Sequence, residues 1–241
     1  MTSREDLYAQ LQALDEELPG NRMRWYLSVF PCLAALNQVD EIVALYPVLI
    51  QKYVDEAQHR QVTRQIREAI TKAVGIIGAA KVASLQTSII VKFKTGNALR
   101  ALASVVPSHL HDPTNYREND SPEVASKRGR EFLKKIYLVD PDVDSNPTRE
   151  AGPDYDYIVL ELLYGRVFSF TEVLDILETE QVIVSALVGV DCVEQVRSHM
   201  LGLLRNGARR EEVELVRRIC ALVVEKIGVR KSRNIPSVPE L

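Results

Sequence analysis

The stretch from Glu180 to Gly207, EQVIVSALVGVDCVEQVRSHMLGLLRNG, decides how this chain is read. Asp191 reads as the N-cap of a helix running to about Arg205, and Asn206-Gly207 as its stop. A helix from about Glu172 to Gly189 precedes it, so two helices follow one another across a short turn. On the second, Cys192, Gln195 and His199 share a face, because positions three, four and seven apart stack along a helix. Val196, Met200 and Leu203 lie beside them, which points the thiol and the imidazole inward. Glu180 sits on the preceding helix, 12 positions before Cys192. A carboxylate, a thiol and an imidazole within one helix pair form the expected active site.

Working outward, helical periodicity continues on both sides. Residues 210–227 place Val213, Val216, Ile219, Val223 and Ile227 on an inward stripe, with Cys220 beside it as a buried, inert thiol. Upstream, 154–164 is helical and Gly165 is expected to end it. Residues 122–138 form a helix capped by Ser121, with Pro122 in its first turn. Two polar stretches, 107–121 and 140–153, read as loops, and the first is the expected lid. Nearer the N-terminus, helices are expected over 3–18, 22–36, 39–54, 58–76 and 79–103. Ser3 and Asp6 suggest a capping box, and Pro31 and Pro47 kinks or breaks. Gly75 and Gly78 are expected to end the fourth helix, and Thr95-Gly96-Asn97 to interrupt the fifth. Trp25, the single tryptophan, reads as a packing residue. No strand-like alternation of useful length occurs, and the fold class is all-α. The expected organisation is one compact domain: an N-terminal helical half (1–106), a loop (107–121), a C-terminal half (122–229) and a tail (230–241).

Composition agrees. The 241 residues are 46% hydrophobic but only 6% aromatic, a balance that favours aliphatic helix packing. The net charge of −3 and the lack of a sustained basic run argue against a nucleic-acid surface. Arg230-Lys231-Ser232-Arg233 is basic but short and reads as a solvated end. No apolar run reaches the ~18 residues of a membrane span. The first residues lack a secretory pattern, and Val238-Pro239-Glu240-Leu241 is not a clear address, so the expected location is cytoplasmic. Three cysteines, Cys32, Cys192 and Cys220, without a CxxC pair, fit a reducing compartment and no zinc site. His109-x-His111-Asp112 lacks a third well-spaced ligand, and no metal or cofactor is expected.

Several runs in order carry a resemblance: Arg128 to Tyr137, Pro153-Asp154-Tyr155, Tyr164-Gly165-Arg166-Val167, Leu174 to Leu187, and Gln195, His199, Asn206-Gly207-Ala208 and Glu211-Glu212-Val213. Together they resemble the carboxymuconolactone decarboxylase family of the alkylhydroperoxidase D-like superfamily, over about 124–228. The resemblance implies an alkylhydroperoxidase D-like helical fold, a homo-oligomer (trimer or hexamer) with sites near subunit contacts, and a small-molecule substrate. In the peroxidase branch the site carries a relay glutamate, a Cys-x-x-Cys pair and a histidine. By position Glu180, Cys192 and His199 match, while Gln195 stands in place of the second cysteine. A dithiol cycle needs two thiols, so Gln195 moves the reading toward the decarboxylase branch. The first half resembles a degenerate copy: Glu68 falls 112 positions before Glu180, and Lys81 and Ser88 stand where Cys192 and His199 would be.

The chemistry follows from residue types. An imidazole held by a carboxylate suits general acid–base work near neutral pH, with Glu178 a competitor to Glu180 for that carboxylate. The plain alternative for His199 is a satisfied core histidine. Cys192 lies in the first turn of its helix, where the dipole favours a thiolate; the plain alternative is a small buried hydrophobe. Decarboxylation beside a carbonyl needs a held carboxylate and a protonated enolate. Arg166 is the expected carboxylate clamp, with Tyr164 and Gln195 as further substrate-binding residues; Arg197 lies on the far face of its helix. The expected function is a cofactor-independent enzyme acting on a small organic acid, lactone or ketone by proton transfer. The alternatives are a thiol-dependent antioxidant or redox sensor using Cys192, and a non-catalytic oligomer.

Overall fold

A computed structural model describes residues 4–95, 114–142, 147–229 and 233–241, and every regular element among them is helical. His109, His111 and Asp112, Ser3, the Gly96-Asn97 interruption, residues 107–113 of the expected lid and Arg230 to Ser232 lie outside the described residues. The elements are α1 (Arg4–Glu16), α2 (Trp25–Ala35), α3 (Val39–Lys52), α4 (His59–Lys72), the short α5 (Val74–Ile77) and α6 (Ala79–Thr95). The second half contributes α7 (Pro122–Tyr137), α8 (Pro147–Ala151), α9 (Pro153–Tyr157), a π-helical segment π1 (Ile158–Phe168), α10 (Ile176–Gly189), α11 (Val193–Arg205) and α12 (Arg210–Ile227). The chain is all-α.

Two helices form the centre. Every residue of α2 is buried, and so is every residue of α10 from Thr179 to Gly189. A helix apolar all round has no solvent face and must be wrapped by others. Here α2 and α10 pack on each other, with α4, α11 and α12 around them. Their few polar groups meet: Gln181 Nε2 donates to Ser28 Oγ and to the Arg24 carbonyl, both at 2.8 Å. Of the expected kinks or breaks, Pro31 does not break α2, nor Pro47 α3. Neighbours enclose α2 on all sides, and tertiary packing offsets the lost backbone bond. One apolar core runs from Leu7 to Val238, so the last residues take part in it. Val238 and Pro239 are buried, and Arg210 holds both their carbonyls, at 2.8 and 2.9 Å. The last residues of the chain thus pack on its body, while Arg233, the described residue of the expected solvated stretch, is exposed.

Glycine placement differs from its sequence reading. The fourth helix stops at Lys72, and Gly75 lies inside α5. Gly165 does not end a helix either. The helix continues past it to Phe168 in π geometry, closed by the Ser169 amide on the Tyr164 carbonyl at 3.0 Å. The helix α7 crosses there, and a Cβ on Gly165 would stand 3.2 Å from the Ala125 carbonyl oxygen. A Cβ on Gly129 would stand 2.5 Å from the Gly165 amide nitrogen and 2.6 Å from its Cα. Arg128 then bridges the crossing, pairing with Asp120 and reaching the Gly165 carbonyl and Ser169 Oγ. At the end of π1, the fully buried Lys72 donates to the carbonyls of Val167, Phe168 and Phe170 at 3.2, 2.7 and 2.6 Å. Burial pulls its ammonium down to about 7, against the opposing pull of Glu68. Gly129→Ala is expected to lower stability by about 2 kcal/mol, because the obstructing atoms are backbone and cannot turn aside. Urea denaturation measures it, and an unchanged midpoint would contradict the close crossing.

Candidate active site

The site lies where α7, π1, α10 and α11 meet. The Asp175 carboxylate caps α10 and the Glu178 carboxylate reaches back to the Asp175 amide, forming a capping box. Glu178 also pairs with Arg24, so it is committed to the helix start and does not compete for the histidine. Glu180 points the other way, into the core, with no exposure. Its Oε2 lies 3.0 Å from His199 Nδ1. Its Oε1 has no hydrogen-bond partner among the described residues. The carboxylate fits only because α11 carries Gly202 opposite it: a Cβ there would stand 2.5 Å from Glu180 Oε2.

The turn between α10 and α11 is tighter than expected. Asp191 adopts a left-handed conformation (φ 65°), and Cys192, not Asp191, is the N-cap residue. The shift leaves the face assignment intact: Cys192, Gln195 and His199 all line one cavity. Cys192 is half-buried, while Cys32 and Cys220 are fully buried elsewhere in the core.

His199 itself is only 4% exposed, and its second ring nitrogen is also engaged. Nε2 lies 3.2 Å from the Tyr137 hydroxyl, which donates to Gln195 Oε1 at 2.9 Å. The Tyr164 hydroxyl donates to Tyr137 at 3.3 Å. Tyr137 and His199 meet edge to face, with ring centroids 5.8 Å apart, and Tyr164 packs against Phe132 and Phe168. A chain of polar groups therefore runs Glu180–His199–Tyr137–Tyr164. Burial pushes the Tyr137 phenol up and the Tyr164 phenol well above its ordinary value, so both remain protonated near neutral pH. Tyr137 carried no role in the sequence reading. Its signal was position: it ends α7 one residue after the inward-facing Ile136.

These groups form the polar end of an open cavity of about 620 Å³. Its walls are apolar, supplied by residues such as Leu133, Leu160, Leu163, Ile183 and Leu187, and Asp140 and Asp156 stand among its other lining residues. Arg166 is not among them. Its guanidinium reaches the Asp120 carbonyl at 3.4 Å, and its own carbonyl accepts from Arg117. The expected carboxylate clamp is thus absent from the cavity, because the continuing π1 turn carries Arg166 toward the 114–121 segment. Among the described residues no three His, Cys, Asp or Glu side chains are grouped to hold a metal, and no helix is long and apolar enough to cross a membrane. Glu68 of the suggested first-half copy pairs with Arg117, and Lys81 donates to the Ala35 carbonyl at 2.8 Å.

No protein-family model matches the chain, and no solved structure matches it significantly. The chain is similar to Peroxisomal protein 2 of Schizosaccharomyces pombe, 27% identical over 213 residues that cover 88% of this chain and 91% of that protein. It is also similar to Peroxisomal protein 2 of Saccharomyces cerevisiae, 38% identical over 84 residues that cover 35% of this chain and 30% of that protein. That name states a location and no reaction.

Gly202→Ala is expected to force the Glu180 carboxylate away from His199. In the wild type, proton NMR should show a downfield imidazole resonance from the shielded Nδ1 hydrogen bond. The variant should lose it, and its persistence would show that the carboxylate does not depend on the glycine.

Proposed function

We propose that the chain is a cofactor-independent enzyme of the carboxymuconolactone decarboxylase type, acting on a small organic acid, lactone or ketone by general acid–base proton transfer. The observation that carries this reading is the buried Glu180–His199–Tyr137 chain ending in an open cavity. A carboxylate behind an imidazole fixes the ring's orientation, and the ring then exchanges a proton, by way of Tyr137, with whatever occupies the cavity. A proton leaves the carbon beside the substrate carbonyl, or carbon dioxide leaves from it. In either case the bonding electrons pass to the carbonyl oxygen as an enolate or enol. The same relay returns a proton to carbon. Hydrogen-bond donors at that oxygen lower the barrier by stabilising the charge as it develops.

The thiol reading has less support. Cys192 lines the cavity, but the two other thiols are fully buried away from it, so no second thiol serves a disulfide cycle there. A purely structural role for His199 is disfavoured by the cavity itself, since a core histidine kept for packing has no need of open space beside it. His199→Ala and Glu180→Gln are each expected to lower turnover on a carbonyl substrate at least a hundredfold, a typical share for general acid–base catalysis. Helical circular dichroism should stay unchanged. Full activity in both variants would sink the reading.

The relatives' name also bears on location. We carry it over as a proposal: the protein works in the peroxisome, in place of the cytoplasm expected from its sequence. Fluorescent fusions made at either end should show punctate signal coincident with a peroxisomal marker in at least one version. Diffuse signal in both would favour the cytoplasm.

A further inference from the structure

The cavity has an uneven chemistry. Tyr137, Tyr164, Gln195 and His199 form a hydrogen-bonded cluster in its lining, with Cys192 also lining it, and no lysine or arginine lines it among the described residues. Cations do stand nearby, but each is held by a partner in the protein, Lys134 and Arg149 by the lining carboxylates Asp140 and Asp156. Lys72 donates to three backbone carbonyls, and Arg117 pairs with Glu68. Arg128 pairs with Asp120, Arg130 with Asp142 and Glu161, and Arg149 with Asp156. The lining carboxylates Asp140 and Asp156 are thereby compensated, which leaves the Glu180 carboxylate behind His199 as the charge nearest the polar chain. Desolvating an anion without a counter-charge is expensive, and a nearby buried carboxylate makes it more so.

We propose that the cavity takes an uncharged, largely apolar carbonyl compound, a ketone, lactone or neutral ester, whose carbonyl oxygen is met by the Tyr137 hydroxyl. This rests on the proton-transfer reading above and narrows its substrate class. Tyr137 is placed for the task because both nitrogens of His199 are occupied, one by Glu180 and one by Tyr137 itself. A ligand therefore meets the tyrosine before the imidazole. The phenol has a single proton and two acceptors, Gln195 Oε1 and His199 Nε2. Turning that proton to a ligand carbonyl frees Gln195, which is exposed and regains water at little cost. Tyr164 keeps donating to the Tyr137 oxygen and strengthens it as a donor. The apolar walls then take the hydrocarbon part of the ligand, and a cavity of about 620 Å³ holds a ring with a short side chain.

The test uses two isosteric pairs that differ in charge: cyclohexyl methyl ketone against cyclohexanecarboxylate, and acetophenone against benzoate. Binding to the full chain is followed at pH 7.5 by amide chemical shifts on the cavity walls. Each ketone is expected to bind about tenfold tighter than its carboxylate, the effect of one uncompensated charge partly relieved by water. Tyr137→Phe should weaken the ketones about tenfold and leave the carboxylates unmoved. Leu163→Arg, which adds a cation to the wall, should reverse the preference. Carboxylates binding as tightly as ketones, or no saturable ketone binding, would overturn the proposed class; unchanged ketone affinity in Tyr137→Phe would overturn the role of the hydroxyl. Exchange of the ketone α-protons in deuterated water is read in the same samples. Ketone binding without exchange would count against proton transfer and leave the ligand class standing.

Discussion

The arrangement turns on a carboxylate buried where water cannot reach it. Glu180 sits with no exposure in the middle of α10, one oxygen on His199 and the other without a partner. Burying such a group costs about several kcal/mol even after relaxation, and a single hydrogen bond does not repay it. Apolar residues would pack there at lower cost. What the carboxylate does is orient an imidazole, and the neighbouring elements are shaped to let it. Gly202 opens the space on α11, the tight turn at Asp191 sets the phase of that helix, and the Gly129–Gly165 crossing brings π1 close enough for Tyr164 to reach Tyr137. Local cost concentrated around one polar chain is the pattern expected of a site, not of a core.

The parts of this arrangement that sequence reasoning reached are those governed by helical period. The all-α class, the pairing of 172–189 with 191–205, and the shared face of Cys192, Gln195 and His199 follow from spacing alone, and the structure agrees on each. The errors arose where one residue type has two physical uses. Gly165 was read as a stop, but a glycine also permits two helices to touch, and only the partner at Gly129 decides which use applies. Pro31 was read as a kink or a break, and the break does not occur because a helix enclosed on all sides tolerates a missing bond. Arg166 was placed in the site by its nearness to Tyr164; π geometry changes the angle between the two, and that geometry has no simple signature in composition. Tyr137 went unassigned because it lies 62 positions from His199, and no local pattern announces a contact over that distance.

Cys192 and Gln195 share one helix face but make different contacts. Both side chains line the cavity, at the start and in the first turn of α11. With a thiol at both positions the pair could close on itself across one helical turn. With Gln195 instead, the position engages the Tyr137 hydroxyl at 2.9 Å and helps to set where its proton points. The amide therefore joins the hydrogen-bonded chain, and Cys192 is left as a lone thiol beside it.

The charges near the cavity divide along the same line. The fold uses its cations for structure: Lys72 closes the end of π1, Arg128 bridges the helix crossing, and Arg149 neutralises Asp156. None is left over to neutralise a ligand inside the cavity among the described residues. Arg149 and Asp156 are linked by a hydrogen bond of 3.1 Å, and Lys134 and Asp140 by one of 2.8 Å, so these carboxylates are largely compensated as well. The unbalanced charge is then Glu180, behind the imidazole. Proton uptake by His199 would neutralise that charge, and proton release would restore it. On the proposed reading, an uncharged ligand lets this exchange proceed without a second charge in the cavity, and the absence of cations that disfavours an anion serves the same end.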